Sequence, residues 1–200
     1  MEHFYKDIQG WADGIDLLYG QIIQRFPTPG LIFNGSAFVQ DDRRFHFVEI
    51  GSWRGKSSAF MAVEIANSGK NIQFDCVDTW RGSVDEAIHQ EDAGVVNDTL
   101  YQEFLDNMKP VEAHFRPVRM TSLEAATTYL DNSLDFVFID AQHDYDSVKA
   151  DILAWAPKVK RGGILAGHDY NYEGDHGVGK AVRELFTEFQ TPPWCWAKQM

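Results

Sequence analysis

Between residues 45 and 78 the chain reads as strand, glycine turn, helix and strand, an order that imposes a right-handed crossover between two parallel strands. Phe45 to Ile50 is apolar nearly throughout and runs into Gly51-Ser52-Trp53-Arg54-Gly55. A helical stretch follows from about Lys56 to Asn67, and Ile72 to Val77 ends at Asp78. A chain that starts its sheet this way must cover both faces of it, because parallel strands reconnect only through crossovers.

The alternation continues to the end. Strand character returns at Phe115 to Val118, helix at Leu123 to Leu130, and Leu134 to Ile139 is a run of the kind buried on both faces of a sheet, ending at Asp140. A helix over Asp144 to Ala154, a turn at Gly162-Gly163, a strand over Ile164 to Ala166 and a helix over Val178 to Phe189 come next. A final apolar stretch, Trp194 to Ala197, closes the chain. The fold expected is a doubly wound α/β sandwich, with a mainly parallel six- or seven-stranded sheet and helices on both faces.

Two segments stand outside this alternation. Ile15, Leu18, Tyr19, Ile22, Ile23 and Phe26 recur at helical spacing before Pro27 and Pro29, which gives residues 1–40 the character of an N-terminal helical cap. Residues 81–110 form an acidic insert, helical from about Asn97 to Asn107, with Gly82 and Gly94 as hinges and His89 in a lid; a solvated surface helix is the competing reading of its charges. The expectation is one domain over 1–200, its core spanning 44–190.

Charge narrows the partners. Lys plus Arg number 18 against 30 Asp plus Glu, a formal charge of −12, which repels phosphate backbones and anionic membrane surfaces and favours a small-molecule substrate over nucleic acid or membrane. No apolar run approaches the ~20 residues of a membrane span, and the start Met1-Glu2-His3-Phe4 lacks the layout of a secretory signal, so a cytoplasmic location is expected. Cys76 and Cys195 show neither disulfide-framework nor metal spacing and read as core residues. The aromatic tail Trp194-Cys195-Trp196 packs either the core or a second copy in a homo-oligomer.

In open parallel sheets ligands bind beyond the carboxyl ends of the strands, where strand order reverses. Here those ends carry Glu49-Ile50-Gly51, Asp78-Thr79-Trp80, Asp140-Ala141-Gln142-His143 and His168-Asp169, so carboxylates, imidazoles and glycines gather on one edge. Gly51 permits a sharp bend, and Gly55 lets a ligand or the strand approach the start of the helix. Gly51 to Ser57 nearly makes a phosphate-binding loop, but Ile50 stands where its first glycine belongs, and the dinucleotide GxGxxG pattern is absent. Asp78 stands where a carboxylate accepts ribose hydroxyl protons, or else caps or meets solvent; Trp80 stacks an adenine or belongs to the core.

The ordered set Glu49 to Ser57, Asp78, Phe138 to Tyr145 and Gly162 to Tyr170 resembles class I S-adenosylmethionine-dependent methyltransferases over roughly residues 44–190. Within them it is most similar to small metal-dependent O-methyltransferases of the macrolide-sugar and aminocoumarin-sugar type. The resemblance implies a Rossmann-like fold and S-adenosyl-L-methionine as cofactor. Glu49, Gly51, Ser52, Trp53, Gly55 and Ser57 would surround its methionine end, Asp78 its ribose, and Thr79, Trp80 and Ser122 its adenine, with Asp140 beside it. It also implies a divalent metal, Mg or a transition metal, at Asp140, His168 and Asp169. One acidic ligand of those relatives has become His168, and imidazole suits a transition metal better than Mg²⁺. His143 matches a general base that takes the proton of the acceptor hydroxyl, with Asp140 the second catalytic group.

Two other readings compete. Asp140, His143, His168 and Asp169 suit a metal-dependent hydrolase that ignores the nucleoside, and a non-catalytic protein would keep the cofactor pocket alone. His176, in the loop after the last parallel strand, is a candidate substrate contact.

Overall fold

The structure, a computed structural model, describes residues 1–33, 35–83, 86–171 and 177–200. In chain order the elements are α1 (Ile15–Gln24), β1 (Gly30–Phe33), β2 (Phe38–Asp41), β3 (Phe45–Ile50), α2 (Lys56–Ser68), β4 (Ile72–Asp78), α3 (Ala87–Gln90), α4 (Ala93–Val96) and α5 (Leu100–Met108). They continue with β5 (Arg116–Arg119), α6 (Ser122–Ala126), β6 (Leu134–Ile139), α7 (Tyr145–Trp155), β7 (Val159–Gly167), α8 (Val178–Leu185) and β8 (Trp196–Gln199). The six-stranded sheet has the order β5-β4-β3-β6-β7-β8, parallel except for the antiparallel pair β7–β8. The chain winds outward from β3 through β4 to β5, then restarts beside β3 with β6, so strand order reverses between β3 and β6.

Strand alternation sorts side chains into two cores. Phe47, Phe74, Cys76, Phe136 and Phe138 face α1, α2 and α5, while Val48, Ile50, Val77, Val137 and Ile139 face α6, α7 and α8. Helix α1 is part of this packing rather than a peripheral cap: Ile15, Tyr19 and Ile23 are fully buried, and the Tyr19 ring meets Phe138 edge-on at 4.9 Å. Within the segment 1–40 expected as a helical cap, Gly30–Phe33 instead pairs antiparallel with Phe38–Asp41 as β1 and β2. Cys76 and Cys195 are both free and buried. Among the described residues no helix is long and apolar enough to cross a membrane.

Local chemistry explains the departures from the expected boundaries. Helix α6 stops at Ala126 because the Thr127 and Thr128 hydroxyls donate back to the carbonyls of Glu124 and Ala125, both at 2.7 Å, which competes with helix continuation. The expected turn at Gly162-Gly163 lies inside β7, where pairing with β6 slips between Leu134 and Phe136; a Cβ on Gly163 would lie 2.9 Å from the Asp135 carbonyl oxygen. The insert carries more helix than expected: the single turns α3 and α4 precede α5, which itself starts at Leu100 rather than near Asn97.

On the α6–α7 side, fully buried Asp75 of β4 accepts from Arg116 Nε and Nη2 at 2.9 and 2.7 Å and from the Tyr129 hydroxyl at 2.9 Å, and pairs with His46 Nε2 at 2.6 Å. Burial alone would raise the Asp75 pKa, but His46, Arg116 and Tyr129 outweigh it and hold it at about 2. A carboxyl depressed from 3.8 stabilises the fold above its unfolded pKa and loses that contribution as pH falls through the folded value. Asp75 therefore contributes on the order of 2 kcal/mol at neutral pH, lost between about pH 4 and pH 2. Thermal melts of wild type and Asp75→Asn should converge over that window, and a constant gap between them would refute the assignment.

Candidate active site

The reversal between β3 and β6 brings Gly51 and Asp140 against each other. Gly51 has φ +89°, and a Cβ there would lie 1.8 Å from the Asp140 carbonyl oxygen, so a side chain is excluded by the neighbouring strand end itself. Gly55, φ +88°, would place a Cβ 3.1 Å from Phe104 and Met108, so α5 of the insert packs against the start of α2. Trp53 between them adopts φ +47°, and its backbone N–H donates to Asp78 Oδ2 at 2.8 Å.

Beneath this turn lies a closed cluster. Glu49 is fully buried, accepting from the Tyr19 hydroxyl at 2.8 Å, from Ser52 Oγ at 3.0 Å and from Ser58 Oγ. Burial raises its carboxyl pKa against the pull of hydroxyl donors that include Ser57. Glu49, Ser52 and Ser57, expected around the methionine end of the cofactor, thus turn inward and brace the glycine turn from below.

Asp78 ends β4 half-buried, with Oδ2 on the Trp53 amide and Oδ1 on the Trp80 amide at 2.7 Å. Burial raises its carboxyl pKa, opposed by these amides. The Ser52 and Thr79 amides also act on this carboxylate. Next to it a cleft of about 350 Å³ opens beyond β4 and β5, lined by Thr79, Arg81, Arg119, Met120, Thr121 and Glu124. Its volume is that of a small-molecule site.

Two residues expected at the adenine lie elsewhere. Trp80 is 1% exposed, donates Nε1–H to the Trp53 carbonyl at 2.8 Å and packs on Tyr101 and Phe104 at 4.6 and 4.8 Å, so it belongs to the core. Ser122 turns toward α7, donating to Asp151 Oδ1 at 2.5 Å and accepting from Trp155 Nε1 at 2.9 Å, a consequence of Thr121 capping α6. Thr79 lines the cleft.

At the ends of β6 and β7, Asp140, His143 and Asp169 offer ligand atoms that all lie within 4.8 Å of one another. His143 Nε2 is 2.9 Å from Asp169 Oδ2 and 3.9 Å from Asp140 Oδ1. The next residue, Asp144, caps α7 by accepting from the amides of Asp146 and Ser147, which fixes His143 just outside the helix. Asp169 adopts φ +57°, bending the chain so that its carboxylate returns over the strand end.

The triad closest together contains His143 where the sequence reading has His168. His168 Nε2 donates to the Asp13 carbonyl at 3.0 Å, and its Nδ1 lies 3.3 Å from Asp169 Oδ2 and 3.6 Å from Asp140 Oδ1. It supports the carboxylates from below, buried at 9% exposure under the N-terminal segment. Burial would lower both imidazole pKa values, but Asp140 and Asp169 outweigh it and raise each to about 11, while the two carboxyls are pushed below their ordinary range by the same pairing. Protons therefore occupy the cluster at neutral pH. The carboxylates of Asp140 and Asp169, with an imidazole beside them, fit a divalent transition metal, which must displace such a proton to bind.

Sequence reasoning missed three contributors. Glu86 of the insert places Oε1 2.6 Å from His143 Nδ1; Arg54 is bound by Asp92 and Glu103 of the insert; and Asp13 holds His168. Nothing in the local sequence distinguishes Glu86 or Asp92 from the other acidic residues of the insert. Gly82 and Gly94, expected as hinges, are packed: a Cβ on Gly82 would lie 3.1 Å from Val95, and one on Gly94 2.9 Å from Arg54. His176 lies outside the described residues.

Known proteins give this geometry a context. Residues 48–170 match the family model described as a methyltransferase domain. An uncharacterized protein of Sinorhizobium fredii is 29% identical over 145 residues, 72% of this chain, and the chain spans 15% of that relative's length. The structure of the O-methyltransferase NovP is similar with a TM-score of 0.64 at 16% identity, covering 93% of this chain and 79% of that one. That of the calicheamicin methyltransferase CalS11 follows with 0.61 at 15% identity, covering 92% and 76%.

Proposed function

Because the chain belongs to the methyltransferase-domain family and has the fold of class I S-adenosylmethionine-dependent methyltransferases, we propose that it transfers a methyl group from S-adenosylmethionine to a hydroxyl of a small molecule. The observation that carries the choice of hydroxyl is the imidazole of His143 between two carboxylates at the strand-order reversal. O-Methylation is also what NovP is described as performing.

Asp78 and the cleft beside Thr79 and Arg119 bind the nucleoside, and the Gly51–Gly55 turn, braced by Glu49, holds the methionine end through its backbone. Bound S-adenosylmethionine supplies an electrophilic methyl: the acceptor oxygen bonds to carbon as the carbon–sulfur bond breaks and sulfur keeps the electron pair. His143 takes the hydroxyl proton through Nε2, with Glu86 holding Nδ1 and so fixing the tautomer. A divalent cation at Asp140 and Asp169 would neutralise the carboxylates that keep His143 protonated and acidify the acceptor hydroxyl. Positioning supplies the rest of the rate.

Metal removal tests this arrangement. Turnover in the presence of a chelator should fall at least tenfold and return with Mn²⁺ or Zn²⁺, while Asp140→Asn should not respond to either ion. Turnover indifferent to chelation would remove the metal from the account. Incubation with methyl-labelled S-adenosylmethionine and a panel of phenols and glycosides should yield products whose new methyl carbon is bonded to oxygen; products methylated only on nitrogen would overturn the hydroxyl assignment.

A further inference from the structure

The turn between β3 and α2 is held from outside by the insert. Trp53 adopts φ +47°, a region that a bulky side chain keeps only where its surroundings fix it. Its carbonyl accepts from Trp80 Nε1 at 2.8 Å, and its ring stacks on His89 at 4.4 Å. The next carbonyl, that of Arg54, accepts from Asn107 Nδ2 of α5 at 3.0 Å.

The Arg54 side chain is the centre of this attachment. It is buried, and each of its three nitrogens donates to a carboxylate of the insert: Nη1 and Nη2 to the two oxygens of Asp92 at 3.0 and 2.7 Å, and Nε to Glu103 at 2.8 Å. Both acceptors are themselves fixed. Asp92 caps α4 by accepting from the Gly94 amide at 2.8 Å, and the other oxygen of Glu103 accepts from Thr99 Oγ1 at 2.7 Å. A Cβ on Gly94 would lie 2.9 Å from Arg54 Nη2 and from Glu103 Oε1, so the glycine expected as a hinge is the clearance that lets this clamp close.

Forked pairing of this kind fixes direction as well as distance. The same guanidinium lies 5.1 Å from the centre of the Trp53 ring, so the clamp bears on both residues at the tip of the turn. An arginine in a cofactor turn is an obvious partner for a ligand carboxylate, but here the insert's carboxylates engage it, and its influence on a ligand passes through the turn backbone. We propose that Arg54 is a positioning residue for the amino-acid end of S-adenosylmethionine: clamped by Asp92 and Glu103, it holds the Gly51–Gly55 backbone in the shape that receives that end, without touching the ligand itself. The proposal rests on the methyltransferase reading of the turn.

Two ligands that differ at that end test it, S-adenosylhomocysteine and 5′-methylthioadenosine, the second of which lacks the amino-acid group. Each is titrated calorimetrically into the full chain as wild type and as Arg54→Met, which keeps an unbranched apolar stem. Arg54→Met should bind S-adenosylhomocysteine about tenfold more weakly and 5′-methylthioadenosine as tightly as wild type. Asn107→Ala cuts the tether to the Arg54 carbonyl and leaves the ion pairs in place; it should show the same split at about threefold, and it carries the test if Arg54→Met does not fold. Equal weakening of both ligands would make Arg54 a general support of the fold, and unchanged S-adenosylhomocysteine affinity would detach it from the site; either result overturns the proposal. A folded wild type that binds neither ligand overturns the methyltransferase reading and the proposal together, whereas a wild type that binds both, beside variants without the split, removes the proposal alone.

Discussion

Replacing His143 with alanine should lower turnover by roughly 10²–10⁴ while leaving S-adenosylhomocysteine affinity within about threefold. The expectation follows from where the imidazole sits. Both ring nitrogens face carboxylates, Glu86 at 2.6 Å and Asp169 at 2.9 Å, while Asp78 is held by the Trp53 and Trp80 amides. Loss of the ring therefore removes the proton acceptor without disturbing the nucleoside seat. The pH dependence should carry a second signature. With its pKa raised to about 11 by the paired carboxylates, His143 is protonated across the neutral range in the metal-free protein. A cation at the carboxylates brings that value down, so the acidic limb of the rate profile should move to lower pH when Mn²⁺ is supplied. A His143→Ala enzyme as fast as wild type would reduce the imidazole to a structural role.

Gly51→Ala should have the largest effect on the fold. The new Cβ would lie 1.8 Å from the Asp140 carbonyl oxygen and 2.4 Å from its carbon, both backbone atoms of an adjacent strand end, and φ is +89°. No side-chain rotation relieves such a contact, so β3 and β6 must part at their carboxyl ends. A cost of at least ~3 kcal/mol is expected, a drop of about 6–12 °C in Tm for a chain of this length, together with loss of S-adenosylhomocysteine binding. Gly69→Ala is the control: φ there is +63°, but nothing lies within 4 Å of the added Cβ, so only about 1 kcal/mol of backbone preference is at stake. Equal effects at the two glycines would show that close approach at the sheet edge is not what fixes Gly51.

Those two glycines also mark what could be read from the sequence. The strand-turn-helix order over residues 45–78 and the run Leu134 to Ile139 follow from local patterning, and β3 and β6 lie where that patterning predicts them. The gathering of Asp78, Asp140, His143, His168 and Asp169 on one edge follows from topology, since parallel strands share the end at which they finish. What each side chain does there does not follow. Ser122 and Trp80 occupy the expected chain positions but turn to Asp151 and to Phe104, because a threonine cap and an insert helix decide their orientation. The β1–β2 pair follows Pro27 and Pro29, in two four-residue strands too short for their alternation to stand out. The partnership of Glu86 with His143 and of Asp92 with Arg54 is a tertiary choice among many similar carboxylates, and sequence spacing carries no trace of it.

The central claim, that the reversal between β3 and β6 binds S-adenosylmethionine with its ribose on Asp78, is tested most directly by calorimetric titration with S-adenosylhomocysteine, on wild type and on Asp78→Ala. Micromolar binding, about −8 kcal/mol, is expected for wild type, with affinity reduced roughly tenfold to a hundredfold in the variant. A folded wild-type protein that releases no heat with S-adenosylhomocysteine, or an Asp78→Ala variant that binds it as tightly as wild type, would contradict the account.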